Sequence, residues 1–435
     1  MSHACIDLDR LDAQIVSLRD ELVAMTQELV RINTVNPYSG DSDAPGEAAG
    51  QRYIESLLRD LGAASTQTFE PKAGIYERMG VRGPKERCFK DRPNVLGHFQ
   101  FDGPGPTFLI NAHMDTVGVE GMTIDPFSGQ IKDGRIHGRG SADQKGLMAA
   151  ALIAIKALLR NRNGLGGQLV FMSVVDEECN GAGAGTLACV ESGLTADAGL
   201  LTDGFDSKLC HTSKGMITAE IFVEGQSGHS SSPGSAISAI DKTVLAKLAV
   251  DRFIRRRRSA DPSLAINLGV MKSGVLPAIV PNDGYLALNA EYSLEEAGQG
   301  AANGGLATGE PVRQELIDAL RAQIEEEDDT WLKDHPPRVE LLKDFPPVNV
   351  DAGQKVVTDA LVAARAVLGA HVAYDRFIPT CDGGHLVLRA GIPMVFFGTA
   401  ELAQCHTPYE SVAIDDLVRA ARVYGRLAAM QLASS

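Results

Sequence analysis

The chain has 435 residues, which is more than one hydrophobic core usually serves, so two domains are expected. Hydrophobic residues make up 44% of the chain and charged residues 22%, a composition that excludes a disordered protein. The net charge of −15 argues against nucleic acid and against an anionic membrane surface as partners.

The first half of the chain alternates strand and helix patterns. The predicted elements are helices over 8–31, 47–61 and 147–159, and strands over 94–101, 106–112, 168–175 and 194–201. Residues 70–92 are rich in charge, glycine and proline and indicate no clear element. Acidic residues repeatedly follow the strand ends. This pattern predicts an α/β sheet with a site along the carboxyl edge of its strands.

The pattern changes near Lys214. Strands over 215–224, 264–271, 284–291 and 338–342 alternate there with helices over 236–256 and 312–328, in the order βαββαβ. We therefore predict an α/β protein with a mixed-sheet catalytic domain in two parts, residues 1–212 and 345–435. A ferredoxin-like lid and dimerisation domain, residues 213–344, is inserted between them. Its open strand edge favours pairing with a second copy, so a homodimer is expected.

No apolar run reaches the length that spans a bilayer, and residues 1–5 lead into an acidic helix without a signal-peptide pattern. The seven cysteines contain no CxxC pair. Reduced thiols, no membrane partner and a cytoplasmic location are therefore expected.

Polar residues collect where the predicted strands end. His113 and Asp115 follow the strand over 106–112, and their i, i+2 spacing puts both side chains on one face of an extended chain. The whole set is His113, Asp115, Asp143, Glu177, Glu178 and Asp203, with His406 near the C-terminus. Such a cluster is costly to bury unless cations neutralise it. Imidazole and carboxylate ligands suit zinc, manganese or cobalt.

These residues lie in short motifs that resemble, in order and spacing, the M20 family of metallopeptidases and amidohydrolases. That family includes acetylornithine deacetylase, succinyl-diaminopimelate desuccinylase and glutamate carboxypeptidase. The motifs are Ala112-His113-Met114-Asp115, the glycine-rich stretch 138–146 around Asp143, Asp176-Glu177-Glu178, Asp203, Gly228-His229-Ser230 and His406-Thr407-Pro408-Tyr409-Glu410.

The resemblance implies a site for one or two divalent metals per subunit. Asp143 would bridge the two positions. His113 and Asp203 would complete the first position, and Glu178 and His406 the second. It also implies a cis peptide bond directly after Asp143.

Three further residues would carry the catalysis. Glu177 would be the general base that takes a proton from the attacking water, which the metals make more acidic. Asp115 would orient His113. His229, on the inserted domain, would reach the site of the neighbouring subunit and stabilise the oxyanion.

The sequence departs from the family pattern where the substrate is held. Relatives carry an arginine for the substrate's α-carboxylate, and Glu291 stands at the matching place. The turn over 380–385 is also altered, and its His385 is open to a pocket role or a packing role. These departures indicate retained chemistry with changed specificity.

Three functions remain open at this point. The first is a metal-dependent hydrolase that cleaves the amide bond of a small molecule, as a deacylase or small peptidase. A second is a metal-dependent deaminase that releases ammonia from an activated aromatic amine. The third is a catalytically silent binding dimer, which the intact Glu177 and ligand set disfavour.

Overall fold

The computed structural model describes residues 6–231, 233–302 and 308–433, so residues 1–5, where no signal pattern was expected, lie outside it. The chain folds as two compact units. Unit 1 runs to Ile75 and continues over Glu86–Ser213 and from Val348 onwards. Unit 2 contains Tyr76–Lys85 and Lys214–Pro347. The sequence pattern does not predict that Tyr76–Lys85 joins unit 2, and the domain bounds 213 and 344 stay predictions.

The helices and strands are numbered in chain order over the described residues. The helices are α1 (Leu8–Ser17), α2 (Arg19–Arg31), α3 (Ala48–Asp60), α4 (Ile75–Arg78), α5 (Gly146–Arg160), α6 (Ala184–Glu191), α7 (Ala239–Ala260), α8 (Leu294–Ala302), α9 (Glu310–Glu326), α10 (Thr330–Asp334), α11 (Lys355–Leu368) and α12 (Ile414–Leu432). The strands are β1 (Ser65–Phe69), β2 (Asn94–Gln100), β3 (Thr107–His113), β4 (Gln130–Lys132), β5 (Arg135–His137), β6 (Gln168–Val174), β7 (Ala198–Leu201), β8 (Leu209–Ser213), β9 (Gly215–Glu224), β10 (Gly228–His229), β11 (Ile266–Ser273), β12 (Ile279–Val280), β13 (Asp283–Tyr292), β14 (Arg338–Phe345), β15 (Val348–Asn349), β16 (Tyr374–Phe377), β17 (Met394–Phe397) and β18 (Ser411–Ala413).

Unit 1 is built on a nine-stranded mixed sheet in the order β1-β2-β6-β3-β7-β17-β8-β15, with β16 also paired to β8. The four central strands β6, β3, β7 and β17 are parallel, so their carboxyl ends lie at one edge. They are apolar along their length, as strands covered on both faces must be. Helix α5 is buried almost throughout because its apolar residues continue around the helix.

The single helix predicted over 8–31 is wrong in one respect. Leu18 leaves helical geometry, its N–H bonds to the carbonyl of Ile15, and α2 begins afresh at Arg19. Asp20 and Glu21 in the first turn of α2 favour a helix start there.

Unit 2 contains a four-stranded antiparallel sheet in the order β11-β13-β9-β14. Helices α7 and α9 pack against each other, and α7 also contacts β9 and β13. Alternate residues of β9, such as Ile217, Ala219 and Ile221, are fully buried. Strand β11 lies at one edge of this sheet. No helix among the described residues combines the length and the apolarity needed to cross a membrane.

Candidate metal centre

The parallel strands of unit 1 bring the predicted ligands to one edge of the sheet. His113 is the last residue of β3, Asp176 to Glu178 follow β6, and Asp203 follows β7. His113 is only 2% exposed. Its Nδ1 lies 2.9 Å from the backbone oxygen of Asp115, which fixes the ring and directs Nε2 towards the cluster.

Asp143 lies at the centre of the cluster, with one carboxylate oxygen facing each of two imidazoles. Its Oδ1 is 3.2 Å from Nε2 of His113, and its Oδ2 is 3.3 Å from Nε2 of His406. The short irregular segment Ser141–Lys145 presents Asp143 immediately before α5. The Asp143–Gln144 peptide bond is cis, which confirms the prediction made from the family resemblance.

Glu178 joins this group from the loop that follows β6. Its Oε1 lies 3.0 Å from Nε2 of His406. Ligand atoms of His113, Asp143 and Glu178 lie within 4.8 Å of one another, a spacing suited to holding a metal ion. The carboxylates Asp143 and Glu178 raise the pKa of His406 to about 11 by hydrogen bonding and by their charge. In this arrangement Nε2 of His113 and Nε2 of His406 each lie 3.0–3.3 Å from carboxylate oxygens, which places nitrogen and oxygen donors side by side.

Glu177 and Asp203 complete the buried acidic group. Burial raises the pKa of Glu177 well above its ordinary value, and the charges of Glu178 and Asp203 raise it further against the opposing effect of His113. Burial and the negative charge of Asp143 likewise raise the pKa of Asp203 well above its ordinary value. Carboxylates that repel one another in a buried site are the donor set that a divalent cation neutralises, so these residues fit a metal.

The carboxylate of Asp115 binds the backbone of the acidic motif Asp176-Glu177-Glu178. Its Oδ1 accepts the N–H of Glu177 at 3.2 Å, and its Oδ2 accepts the N–H of Glu178 at 3.0 Å. The side-chain amide of Asn36 also donates to Oδ2, at 2.8 Å. The carboxylate oxygen is 3.6 Å from Nδ1 of His113, farther than the backbone oxygen. Asp115 thus links His113 to both acids of the motif.

Two residues that support Asp143 carried no role in the sequence analysis. Glu410 is fully buried and accepts the N–H groups of Ala142 at 2.9 Å and of Asp143 at 3.2 Å. Arg139 donates to the other oxygen of Glu410 at 2.5 Å. Both residues lie in the family motifs of the sequence. Their contact could not be predicted because 271 residues separate them along the chain.

A second group of buried charges lies beside the first within unit 1. We call Glu47, Arg87, Arg92 and Asp176 the guanidinium cluster. Arg92 binds Glu47 through two hydrogen bonds, of 2.7 and 2.6 Å, and donates to Asp176 at 2.8 Å. Arg87 donates to the same oxygen of Asp176 and, at 2.6 Å, to the carbonyl of Cys179.

The remaining predicted positions have clear surroundings. His229 is exposed on β10 of unit 2, where its Nδ1 accepts the N–H of Ser231 at 3.1 Å, and its catalytic role stays a prediction. Glu291 is buried in unit 2, and its Oε2 accepts the N–H of Ala265 at 2.7 Å. His385 is fully buried, with Nε2 2.8 Å from the carbonyl of Ala182. Burial lowers the pKa of His385 to about 3, so it is a neutral packing residue.

Comparisons with known proteins agree with this geometry. The model of the family described as peptidase family M20/M25/M40 matches residues 109–430. The chain is 26% identical to N-formyl-4-amino-5-aminomethyl-2-methylpyrimidine deformylase of Halalkalibacterium halodurans, over 95% of this chain and 94% of that one. It is 25% identical to succinyl-diaminopimelate desuccinylase of Thioalkalivibrio sulfidiphilus, over 92% of this chain and 96% of that one.

A solved structure has the same fold. The M20 family metallo-carboxypeptidase of Sulfolobus solfataricus superposes with a TM-score of 0.69 at 17% identity, covering 95% of this chain and 99% of that one.

Proposed function

This chain belongs to peptidase family M20/M25/M40 and is a hydrolase of carbon–nitrogen amide bonds, and we propose that its reaction takes place at the metal centre around Asp143. The observation that carries the proposal is the position of Asp143, whose two carboxylate oxygens face His113 and His406. A carboxylate with an imidazole at each oxygen suits a bridge between two cations.

We assign the ligands as the family resemblance implies. Asp143 would be shared, His113 and Asp203 would hold one position, and Glu178 and His406 would hold the other. Bound divalent metal would polarise the substrate carbonyl and make water more acidic, and zinc, manganese and cobalt all suit this donor set.

Glu177 acts as the base in this proposal. The charges of His113, Glu178 and Asp203 all act on the Glu177 carboxyl group, so it lies beside the residues to which the proposal assigns the metals and their water. The carboxylate takes a proton from the attacking water and later delivers it to the leaving nitrogen. The Asp115 carboxylate fixes the backbone of Glu177 and so sets where this proton is received.

The substrate we favour is the N-acyl derivative of a small amine without an α-carboxylate. The arginine that would hold such a carboxylate in relatives is replaced by Glu291, whose side chain is committed to the N–H of Ala265. The similarity to the pyrimidine deformylase favours a formyl or other short acyl group on an aminomethylpyrimidine. The named relatives support amide hydrolysis rather than the deamination that the sequence left open.

The experiment is a substrate panel on metal-reconstituted protein. The panel contains N-formyl-4-amino-5-aminomethyl-2-methylpyrimidine, N-succinyl-diaminopimelate, N-acyl amino acids and dipeptides, each assayed for free amine and for ammonia. We expect metal-dependent release of amine without ammonia, fastest from the pyrimidine. Ammonia as the product, or turnover that persists after exhaustive chelation, would contradict the proposal.

We also propose that unit 2 forms a homodimer. Ile240, Val244 and Leu248 recur every four residues along α7 and are 40–45% exposed, so they form an apolar stripe on one face of the helix. A Cβ at Gly274 would lie 3.5 Å from Ile240, so the turn that carries the 97% exposed Val275 adjoins the stripe. This apolar surface together with the open edge of β11 suits a second copy of unit 2.

A mixing experiment tests whether His229 serves the partner's site. Glu177→Gln and His229→Ala chains, each inactive alone, are combined, and subunit exchange is followed with two affinity tags. Random pairing should restore about a quarter of the wild-type activity, because half of the dimers then contain one intact site of two. Heterodimers that form without regaining activity would show that His229 does not serve the partner's site.

A further inference from the structure

The loop after β6 holds an unusual backbone. Four of its non-glycine residues have φ between 54° and 64°, a left-handed conformation that costs energy for residues with a side chain: Asp176, Cys179, Asn180 and Ala182. We call residues 176–182 the acidic turn. Such a conformation persists only where neighbouring groups hold it in place. The metal-centre residues Glu177 and Glu178 lie inside this turn.

Arg87 holds the acidic turn at two points, one on each side of Glu177 and Glu178. One of its terminal nitrogens donates to the carboxylate of Asp176, and the other donates to the backbone oxygen of Cys179 at 2.6 Å. Glu177 and Glu178 are the two residues between these anchor points. The Arg87 side chain is only 1% exposed, so both bonds are shielded from competing water.

Other contacts keep the Arg87 guanidinium in place. Its central carbon lies 4.2 Å from the centre of the Tyr38 ring. The backbone N–H of Tyr38 in turn bonds to the side chain of Asn36 at 3.0 Å, and Asn36 also bonds to Asp115. The planar fork of an arginine can serve two acceptors and stack on a ring at once, which a lysine cannot do.

We propose that Arg87 is a positioning residue for the amide hydrolysis, holding Glu177 where it receives the proton and Glu178 where it ligates the metal. This inference rests on the proposed function, and Arg87 itself touches neither substrate nor metal in it. Mutation of a positioning residue of this kind typically lowers activity or metal affinity about 10–100-fold. The effect should therefore appear in kcat and in metal binding at the Glu178 position.

The kinetic test is a double-mutant cycle with N-formyl-4-amino-5-aminomethyl-2-methylpyrimidine as the probe. Arg87→Lys should lower kcat at least about tenfold and leave KM within about threefold. At saturating metal the effect of Arg87 on kcat is exerted through Glu177, so the same change made in Glu177→Gln should lower the remaining kcat less than about twofold. A structural role alone would lower kcat by the same factor in both backgrounds. The control is Arg59→Lys on α3, whose side chain is 63% exposed.

A second readout does not depend on turnover. Metal-free protein is titrated with cobalt(II) and followed by its visible absorption. The variant Glu178→Gln identifies the cobalt-binding step that depends on Glu178, and Asp203→Asn identifies the step that depends on Asp203. Arg87→Lys should weaken the first step about 10–100-fold and leave the second unchanged. Arg59→Lys should give the wild-type titration.

The outcomes separate this inference from the proposed function. A wild-type protein that does not hydrolyse amides, or a fully active Glu177→Gln, would overturn the proposed function, and the cobalt titration would still decide the role of Arg87. If wild type and Glu177→Gln behave as proposed, equal kcat losses in both backgrounds together with an unchanged titration would overturn the role of Arg87.

Discussion

Two charge clusters in unit 1 shift the pKa of buried carboxyl groups in opposite directions at Asp176 on one side and at Glu177 and Asp203 on the other. In the guanidinium cluster, burial alone would raise the pKa of Asp176, but Arg92 and Arg87 reverse this effect and hold it below its ordinary value. In the metal centre, burial and neighbouring carboxylates hold the pKa values of Glu177 and Asp203 well above theirs. The difference is the source of positive charge.

The two clusters differ in what must be present for their carboxylates to be neutralised. The chain provides its own cations to Asp176 and Glu47, so that cluster is complete once the protein has folded. Over the residues that the structure describes, the carboxylates of the metal centre face the imidazoles of His113 and His406, which are also potential ligands. Removing the metal should therefore mainly abolish catalysis, whereas removing an arginine of the guanidinium cluster should mainly lower stability.

The largest effect is expected from removing the metal. His113→Ala removes a ligand, and exhaustive chelation removes the cation. Both should therefore reduce amide hydrolysis to the uncatalysed rate measured in buffer without protein. Bound metal is measured by elemental analysis and activity by release of amine. His371→Ala, at an exposed histidine, is the matched control and should keep full metal content. Full activity in chelated wild-type protein would end the metal-dependent interpretation.

The next effect concerns the base. Glu177→Gln keeps the shape of the side chain but cannot accept a proton, so kcat should fall at least about a hundredfold with normal metal content. Glu28→Gln, at a half-exposed position of α2, is the control and should match the wild type. A metal-replete Glu177→Gln protein with near-wild-type kcat would remove Glu177 from the mechanism.

The grouping of His113 with Glu178 could be predicted from the sequence because both lie where strands end, and a parallel sheet brings such ends together. Asp143 instead precedes a helix, so its place in the group was predicted from the family resemblance. The guanidinium cluster could not be predicted in this way. Arg87 lies in the segment over 70–92, which has no periodic pattern, and its partner Asp176 is 89 residues away.

The fold shows the same division. Apolar runs predicted the central strands β3, β6 and β7, and the βαββαβ order predicted the sheet of unit 2. Residues Tyr76–Lys85 join unit 2 through contacts that no local pattern shows. The backbone N–H groups of Arg82 and Gly83 bond to the carbonyls of Leu341 and Leu342 on β14, at 2.7 and 3.0 Å. Pairing over such a sequence distance depends on the assembled sheet.

A smaller effect, on stability rather than chemistry, should follow from removing a cation of the guanidinium cluster. Arg92→Met leaves Glu47 buried without its bidentate partner, so the free energy of unfolding should fall by about 3–5 kcal/mol. Urea unfolding followed by circular dichroism measures it. Arg59→Met removes a partner from the exposed pair with Glu55 and should cost no more than about 0.5 kcal/mol. Equal losses in the two variants would show that burial does not distinguish these pairs.

The smallest effect concerns the pH dependence of stability. Burial raises the pKa of Glu47 from 4.5 to about 7, although its bonds to Arg92 act in the opposite direction. Below pH 4.5 the carboxyl is protonated in both the folded and the unfolded chain. Between pH 4.5 and 7 the folded chain keeps a proton that the unfolded chain has released, so stability falls as the pH rises. One such group contributes at most about 1.4 kcal/mol per pH unit.

Glu47→Gln removes this titration, so subtracting its stability from that of the wild type isolates the contribution of Glu47. The free energy of unfolding of the wild type minus that of Glu47→Gln should therefore fall between pH 5 and pH 7 and become level above about pH 7. Urea unfolding at half-unit steps of pH measures this difference. A difference that stays level over that range, after rising with pH below about 4.5, would mean that Arg92 keeps Glu47 ionised in the folded protein. The guanidinium cluster would then hold both of its carboxylates charged, and its contrast with the metal centre would be sharper than burial alone predicts.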